Sequence, residues 1–340
     1  MIMKKFSIED ILDLASIQEL LAEELSKKWP NIKDIVVEQV KIIKKSFHNN
    51  YYNLVTAYPL SFLENGQKKE MVIYSSAHSN ESRRQTMANL QLIWEKGVPS
   101  NEFQTNQPLF YKTGCNAFFY VGLPGINLYH FFHENDRSAI EESIKATAKW
   151  LARLHRLTSG MVNWPESREQ RVIDVAPGKE RALDRIKKVC PEYYQRFAHL
   201  YEILEKRELS HWPQNEDLTM IHGDLHPENV LVNDQGIAII DWADASLGDP
   251  VRDLGSFTQQ LSFMGHRAIN DNDYWQAMQK IFLETYQAEE GIKLPTDWQE
   301  RLKTYYYFTA FRTAIYFVTK SGPEPERSDG LLNEIEANLN

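Results

Sequence analysis

The chain has 340 residues, of which 42% are apolar and 12% aromatic, and its 38 Lys and Arg against 47 Asp and Glu leave a net charge of −9. That length suits two lobes better than one core, and the acidic balance excludes nucleic acid as the expected main partner. No run approaches the roughly 18 uncharged apolar residues of a transmembrane helix, and the opening Met1 to Ser7 meets charges at Glu9 and Asp10 instead of the apolar stretch of a signal peptide.

Ser7 opens a predicted helix over about 7–29, with Ile17, Leu20, Leu21 and Leu25 at helical spacing up to Trp29-Pro30. Three strand-like runs follow, Ile35 to Lys44, Tyr52 to Leu63 and Lys69 to Ser76, and Asn65-Gly66 marks a hairpin between the last two. A helix from about Asn80 to Lys96 precedes a second hairpin, Leu109 to Lys112 and Phe118 to Val121, around Gly114-Cys-Asn116. Beyond Leu123-Pro-Gly125 the chain turns helical, and Ser138 to His155 carries Ile140, Ile144, Leu151 and Leu154 on one face. Near the end, Tyr305, Phe308, Arg312 and Tyr316 fall along one face of a further helix. Such a stripe suits an aromatic cage for a quaternary ammonium or a buried core seam. The predicted division is residues 1–121 and 122–340. Two cysteines, Cys115 and Cys190, lie far apart without metal spacing, so a reducing cytoplasm is the expected compartment.

The helical half is interrupted by Ile221-His-Gly-Asp-Leu-His-Pro-Glu-Asn-Val and Ile239-Ile-Asp-Trp. Asp224, Asn229 and Asp241 stand in this segment, and the apolar runs Val230 to Val232 and Ile237 to Ile240 flank the turn Asp234-Gln-Gly236. Phosphoryl transfer needs this layout: one carboxylate to orient a hydroxyl and take its proton, an amide oxygen and a second carboxylate to hold Mg²⁺ on nucleotide phosphates. An acidic β-turn without chemistry uses the same residue types.

The segment resembles the aminoglycoside phosphotransferase and choline kinase-like group of small-molecule kinases. That group's catalytic loop reads His-Gly-Asp-hydrophobic-His-x-x-Asn, like His222 to Asn229, and its metal aspartate sits in Ile-Asp-Trp, like Ile240-Asp241-Trp242. Gly248-Asp-Pro250 and Asp253-Leu254 match a following Gly-x-Pro-x-x-Asp-Leu. The resemblance implies a two-lobed, protein-kinase-like α+β fold, with an N-terminal antiparallel sheet plus helix and a mainly helical C-terminal lobe holding a catalytic loop at 222–229 and a metal loop at 240–254. It implies transfer of the γ-phosphoryl of ATP or GTP, with Mg²⁺, to a hydroxyl of a small molecule, without a membrane or nucleic-acid partner. Asp224 becomes the catalytic base, Asn229 and Asp241 the Mg²⁺ ligands, and Asp253 a brace for the metal loop. His222 either braces likewise or packs in the core. Phe119 to Gly125 resembles the group's interlobe hinge, which sets Tyr120 behind the adenine, the Val121 carbonyl and Leu123 amide on the base edge, and Leu231 and Ile240 beneath it.

The pattern breaks where such kinases carry a third-strand lysine paired with a helix glutamate. Those positions fall on Tyr74 or Ser75, and on Gln85 or Thr86. The phosphate-covering turn, Lys44 to Asn50, lacks glycine and offers Ser46, Asn49 and Asn50 as donors. Either a relocated cation (Arg83, Arg84, Lys44 or Lys45) meets the phosphates, or the chain is a pseudokinase that binds a nucleotide or ligand for regulation. For a cationic acceptor, Glu284, Glu289 and Glu290 are the candidate carboxylates.

Overall fold

Asn65 and Gly66, both at positive φ, turn the longest hairpin of the chain. The computed structural model describes residues 6–48, 51–160, 171–213 and 217–339, and divides into two compact units. The first comprises Met1–Gly125 with Ala238–Ala243, the second Ile126–Ile237 with Asp244–Asn340. Asn49 and Asn50 lie outside the described residues.

In the first unit the helix α1 (Leu14–Lys28) is followed by β1 (Ile32–Val37), β2 (Lys41–His48), β3 (Tyr51–Glu64), β4 (Gln67–His78), α2 (Ser82–Glu95), β5 (Phe103–Thr105), β6 (Pro108–Lys112) and β7 (Ala117–Val121). Six strands form an antiparallel sheet in the order β1-β3-β4-β7-β6, with β2 also on β3. The leading helix starts later than Ser7, because Ser7 spends its N–H and Oγ on Asp10 Oδ2 in a preceding turn. Asp13 is the cap instead, accepting from Ser16 N–H at 2.8 Å. The single run expected from Ile35 to Lys44 is two strands. Both pair with β3, and the ladder breaks opposite Pro59, which accepts from Glu38 N–H at 2.9 Å but has no N–H to return.

Residues of opposite parity on these strands face opposite ways. Ile73, Ala77, Ala117 and Phe119 join Leu54 and Tyr58 against Ile17, Leu20, Leu21 and Leu25 of α1. Each of the Leu, Ile and Phe side chains among them contributes about 1.5–3 kcal/mol on full burial. The other parity, Tyr74 opposite Tyr120 and Ser76 opposite Phe118, is left away from this core.

In the second unit β8 (Ile126–Asn127) leads to α3 (Leu128–Glu134), α4 (Arg137–Thr158), α5 (Lys179–Val189), α6 (Tyr194–Ser210), β9 (Thr219–Ile221) and β10 (Val230–Asn233). After β11 (Gly236–Ile239) come β12 (Ser246–Gly248), α7 (Pro250–Ala268), α8 (Asn272–Ala288), α9 (Trp298–Thr319) and α10 (Glu326–Leu339). Phe308, Phe311, Ala314 and Val318 of α9 form a core with Phe197 and Leu200 of α6 and with Leu332 and Ile335 of α10. The architecture is the protein-kinase-like one: an antiparallel N-terminal sheet with a helix, then a mainly helical part. Among the described residues no helix is long and apolar enough to cross a membrane. Cys115 and Cys190 are both buried and free.

Candidate active site

The loop that carries Asp224 leaves β9 and is fixed from behind. Asp253, fully buried on α7, accepts from the backbone N–H of His222 at 2.7 Å and of Gly223 at 2.9 Å. Its Oδ2 also lies 3.2 Å from His155 Nε2, and His155 Nδ1 is 2.8 Å from the Tyr286 hydroxyl. Burial pushes the Asp253 carboxyl up, but the hydrogen bond and charge of His155, with His222 and Gly223 N–H, hold it below the usual carboxylate range. Asp253 therefore grips the start of the catalytic loop, where a brace for the metal loop was expected. His155 and Tyr286 were not expected at all. Their only sequence signal is a histidine on the apolar face of α4.

Gly223 is needed here. Its φ is +80°, and a Cβ would stand 2.4 Å from the Asp244 carbonyl. That close pass continues in the ladder of β9 and β12, Ile221 opposite Ser246 and Thr219 opposite Gly248. It brings Asp224 and Asp244 to one guanidinium. Arg312 donates from Nη1 to Asp224 Oδ1 at 3.1 Å and from Nη2 to Asp244 Oδ2 at 3.4 Å. Burial raises the Asp224 carboxyl, but Arg312 first, then His226 and His222, hold it below its ordinary value. Asp224 is thus a carboxylate at neutral pH. Asn229, 7% exposed, donates from Nδ2 to the Asp224 carbonyl at 3.0 Å, and its Oδ1 is the acceptor end of the amide.

Asp241 sits in the first unit, exposed and at φ +61°, an unusual conformation for an aspartate. Oxygen donors such as Asn229 Oδ1 and the Asp241 carboxylate suit a hard cation. Among the described residues no group of three His, Cys, Asp or Glu gathers to hold a metal.

The hinge segment is tied down within the first unit. Val121 donates its N–H to the Gln107 carbonyl at 2.9 Å, and its carbonyl accepts from Asn106 Nδ2 at 3.1 Å. Asn106 is a buried residue that sequence reasoning missed. Gly122 donates to the Val72 carbonyl at 2.7 Å, and a Cβ there would strike the Tyr74 ring at 2.5 Å. Tyr74 stacks on Tyr120 with centroids 5.6 Å apart. Burial pushes the Tyr120 hydroxyl up, the Asp241 carboxylate adds to this, and Arg83 works against it. Leu123 and Ile240 are half-buried, and Leu231, in the second unit, pairs with Asn127.

Both candidate lysine positions are engaged in packing within the first unit. Tyr74 is in that ring stack, and Ser75 is fully buried in a hydroxyl cluster, 2.7 Å from Thr56 Oγ1 and 3.0 Å from Tyr58 OH. Gln85 is bonded to Asn89, and Thr86 to the Ser82 carbonyl. The four candidate cations separate. Arg84 packs over the Tyr111 ring at 5.2 Å and pairs with Glu81, and Lys45 packs over Phe47 at 5.3 Å. Arg83 keeps a buried Nε without a hydrogen-bond partner among the described residues. Burial lowers the His78 pKa, and the charges of Arg83 and Lys44 lower it further, so both cations approach that ring. Ser46 is half-buried on β2, opposite Asn53.

Asp224 opens onto a cavity of about 740 Å³ within the second unit, lined also by Tyr129, Arg267, Phe308, Arg312 and Tyr316. The α9 stripe is therefore split: Tyr305 is buried core, while Phe308, Arg312 and Tyr316 face the cavity. Glu284, Glu289 and Glu290 are not among its lining residues.

Solved structures share this fold. An amicoumacin kinase solved with AMP-PNP and Ca²⁺ matches with a TM-score of 0.65 at 14% identity, over 93% of each chain. A spectinomycin phosphotransferase solved with ADP and spectinomycin matches at 0.54 and 14% identity, again over 93% of each. A choline kinase from Streptococcus pneumoniae matches at 0.54 and 15% identity, over 95% of this chain and 98% of that one. No curated protein matches the sequence. The APH model, described as the phosphotransferase enzyme family, matches residues 61–294. That span is well over half of the sequence and includes every residue of the Asp224 loop, so the chain belongs to the phosphotransferase enzyme family.

Proposed function

We propose that the chain is a kinase that moves the γ-phosphoryl of ATP or GTP onto a hydroxyl of a small molecule. The observation that carries this reading is Asp224: ionised, held by Arg312, and set in the wall of a ligand-sized cavity. The Asp224 carboxylate accepts the acceptor's hydroxyl proton as that oxygen bonds the γ-phosphorus. The bond to the bridging oxygen breaks, and the nucleoside diphosphate leaves. Asn229 and Asp241 would hold Mg²⁺, which when bound neutralises phosphate charge. Tyr120, Val121, Leu123, Leu231 and Ile240 serve the base, and Ser46 the phosphates.

Arg83 takes the place of the absent lysine, because its Nε is buried without a partner among the described residues while Arg84 is engaged elsewhere. A regulatory pseudokinase gains no support from the missing lysine when another cation stands ready.

The test is a melting series. A ligand at ~100 times its dissociation constant stabilises a fold by about 2.7 kcal/mol, a shift of a few degrees for a chain of this size. Millimolar ATP or GTP should raise the melting temperature with Mg²⁺ and do so little with chelator. Arg83→Ala and Asp241→Ala should shrink the shift, and Arg84→Ala should not. No shift with any nucleotide would favour the regulatory reading.

A further inference from the structure

The Asp224 cavity also carries information about its acceptor. At about 740 Å³ it falls in the range that takes drug-sized ligands, well beyond the needs of a small amino alcohol. Its described lining holds two carboxylates, Asp224 and Glu228. Asp224 is bound to Arg312, and Glu228 is exposed, 3.8 Å from His226 Nδ1. The remaining lining charge is cationic. Arg267, on the last turn of α7, is exposed and has no carboxylate partner among the described residues; its guanidinium lies 5.7 Å from the Phe263 ring centroid. Tyr316, 61% exposed on α9, leaves a second aromatic surface uncovered in the same wall.

Among the described lining residues a polyamine finds one carboxylate not held by an arginine, Glu228, and meets Arg267, so most of its ammonium charge goes unmet. A quaternary ammonium faces the same arginine. A planar carboxylate on a ring system meets the opposite situation: a guanidinium fork for the anion and the exposed face of Tyr316 for the ring.

We infer that the acceptor is a bulky, hydroxylated compound bearing a carboxylate, and that Arg267 is the residue that selects it. This rests on the kinase reading above, with Asp224 receiving the hydroxyl proton and the nucleoside triphosphate supplying the phosphoryl group.

The experiment uses the full chain with Mg²⁺-ATP and a panel of aromatic hydroxy acids (phenyllactate, hydroxyphenyllactate, indolelactate), each beside its neutral amide, with choline and kanamycin as cationic arms. Acceptor-dependent ADP formation and melting shifts are both recorded. The acids should be phosphorylated with kcat/KM at least about ten-fold above their amides, the scale of one charge-assisted hydrogen bond. Arg267→Gln should erase that ratio, and Arg267→Glu should invert it. A preference that survives in Arg267→Gln, or turnover confined to choline or kanamycin, overturns the inference. So does a panel in which no hydroxy acid is turned over or shifts the melting temperature while Mg²⁺-ATP still does; in that case the kinase reading stands. Loss of the Mg²⁺-ATP shift itself instead sinks the kinase reading.

Discussion

Arg312 and Asp224 are joined at 3.1 Å, and the same guanidinium reaches Asp244 at 3.4 Å. One side chain of α9 thus sets the direction of the proposed catalytic carboxylate by tying it to the segment that pairs with its own strand. A carboxylate misplaced by about 1 Å can cost on the order of 10²-fold in rate. Arg312→Ala should therefore lower kcat by roughly ten- to a hundred-fold, with the Mg²⁺-nucleotide melting shift preserved, and Arg312→Lys should recover part of the loss. Equal loss of kcat and of the nucleotide shift would assign Arg312 a purely structural part.

Asp224→Asn keeps shape and burial but removes the proton acceptor. Turnover with the true acceptor should fall by roughly 10²–10⁴-fold, while the nucleotide shift stays within a degree or so of the parent. Single-turnover measurement of ADP formation decides this. Parent-like rates would mean that another group takes the proton.

Asp253 satisfies two buried backbone N–H groups and His155 at once. Asp253→Ala leaves these groups unpaired, at about 1–3 kcal/mol each, so chemical denaturation should show a loss of at least about 3 kcal/mol. A variant as stable as the parent would show that water replaces the carboxylate.

Glu208, 3% exposed on α6, accepts from Val172 N–H at 2.9 Å, and its Oε1 has no hydrogen-bond partner among the described residues. Burial first of all pushes its carboxyl up from 4.5 to about 7. The folded chain then holds a proton that the unfolded chain has released, so the advantage present below about pH 4.5 is lost as pH rises towards 7. The stability lost over that window is about 3 kcal/mol. Glu208→Gln, which cannot ionise, should gain on the parent as pH rises through the window and differ by a constant amount above it. A pH-independent difference measured by denaturant unfolding would contradict the buried acid.

Short-range chemistry made much of this protein legible from its sequence. The Asn65-Gly66 turn, the alternation along β3 and β4, the spacing of Ile140, Ile144 and Leu151, and the oxygen donors of the Asp224 loop all depend on neighbours within a few residues. The break opposite Pro59 escaped because it depends on a partner strand about twenty residues away. Arg312, His155, Tyr286 and Asn106 act through contacts with residues distant in the chain, and helical spacing, which marks Arg312 and His155 as lying on an apolar face, does not name those partners. The same holds for the choice among Arg83, Arg84, Lys44 and Lys45. All four are cations on predicted elements, and only the packing of Arg84 on Tyr111 and of Lys45 on Phe47 separates them from Arg83 and Lys44. The sequence alone determined which residues are candidates for the chemistry, because backbone periodicity and donor type are local properties. Tertiary structure alone decided which side chains orient and neutralise them, because a charge acts on whatever the fold brings within a few ångströms.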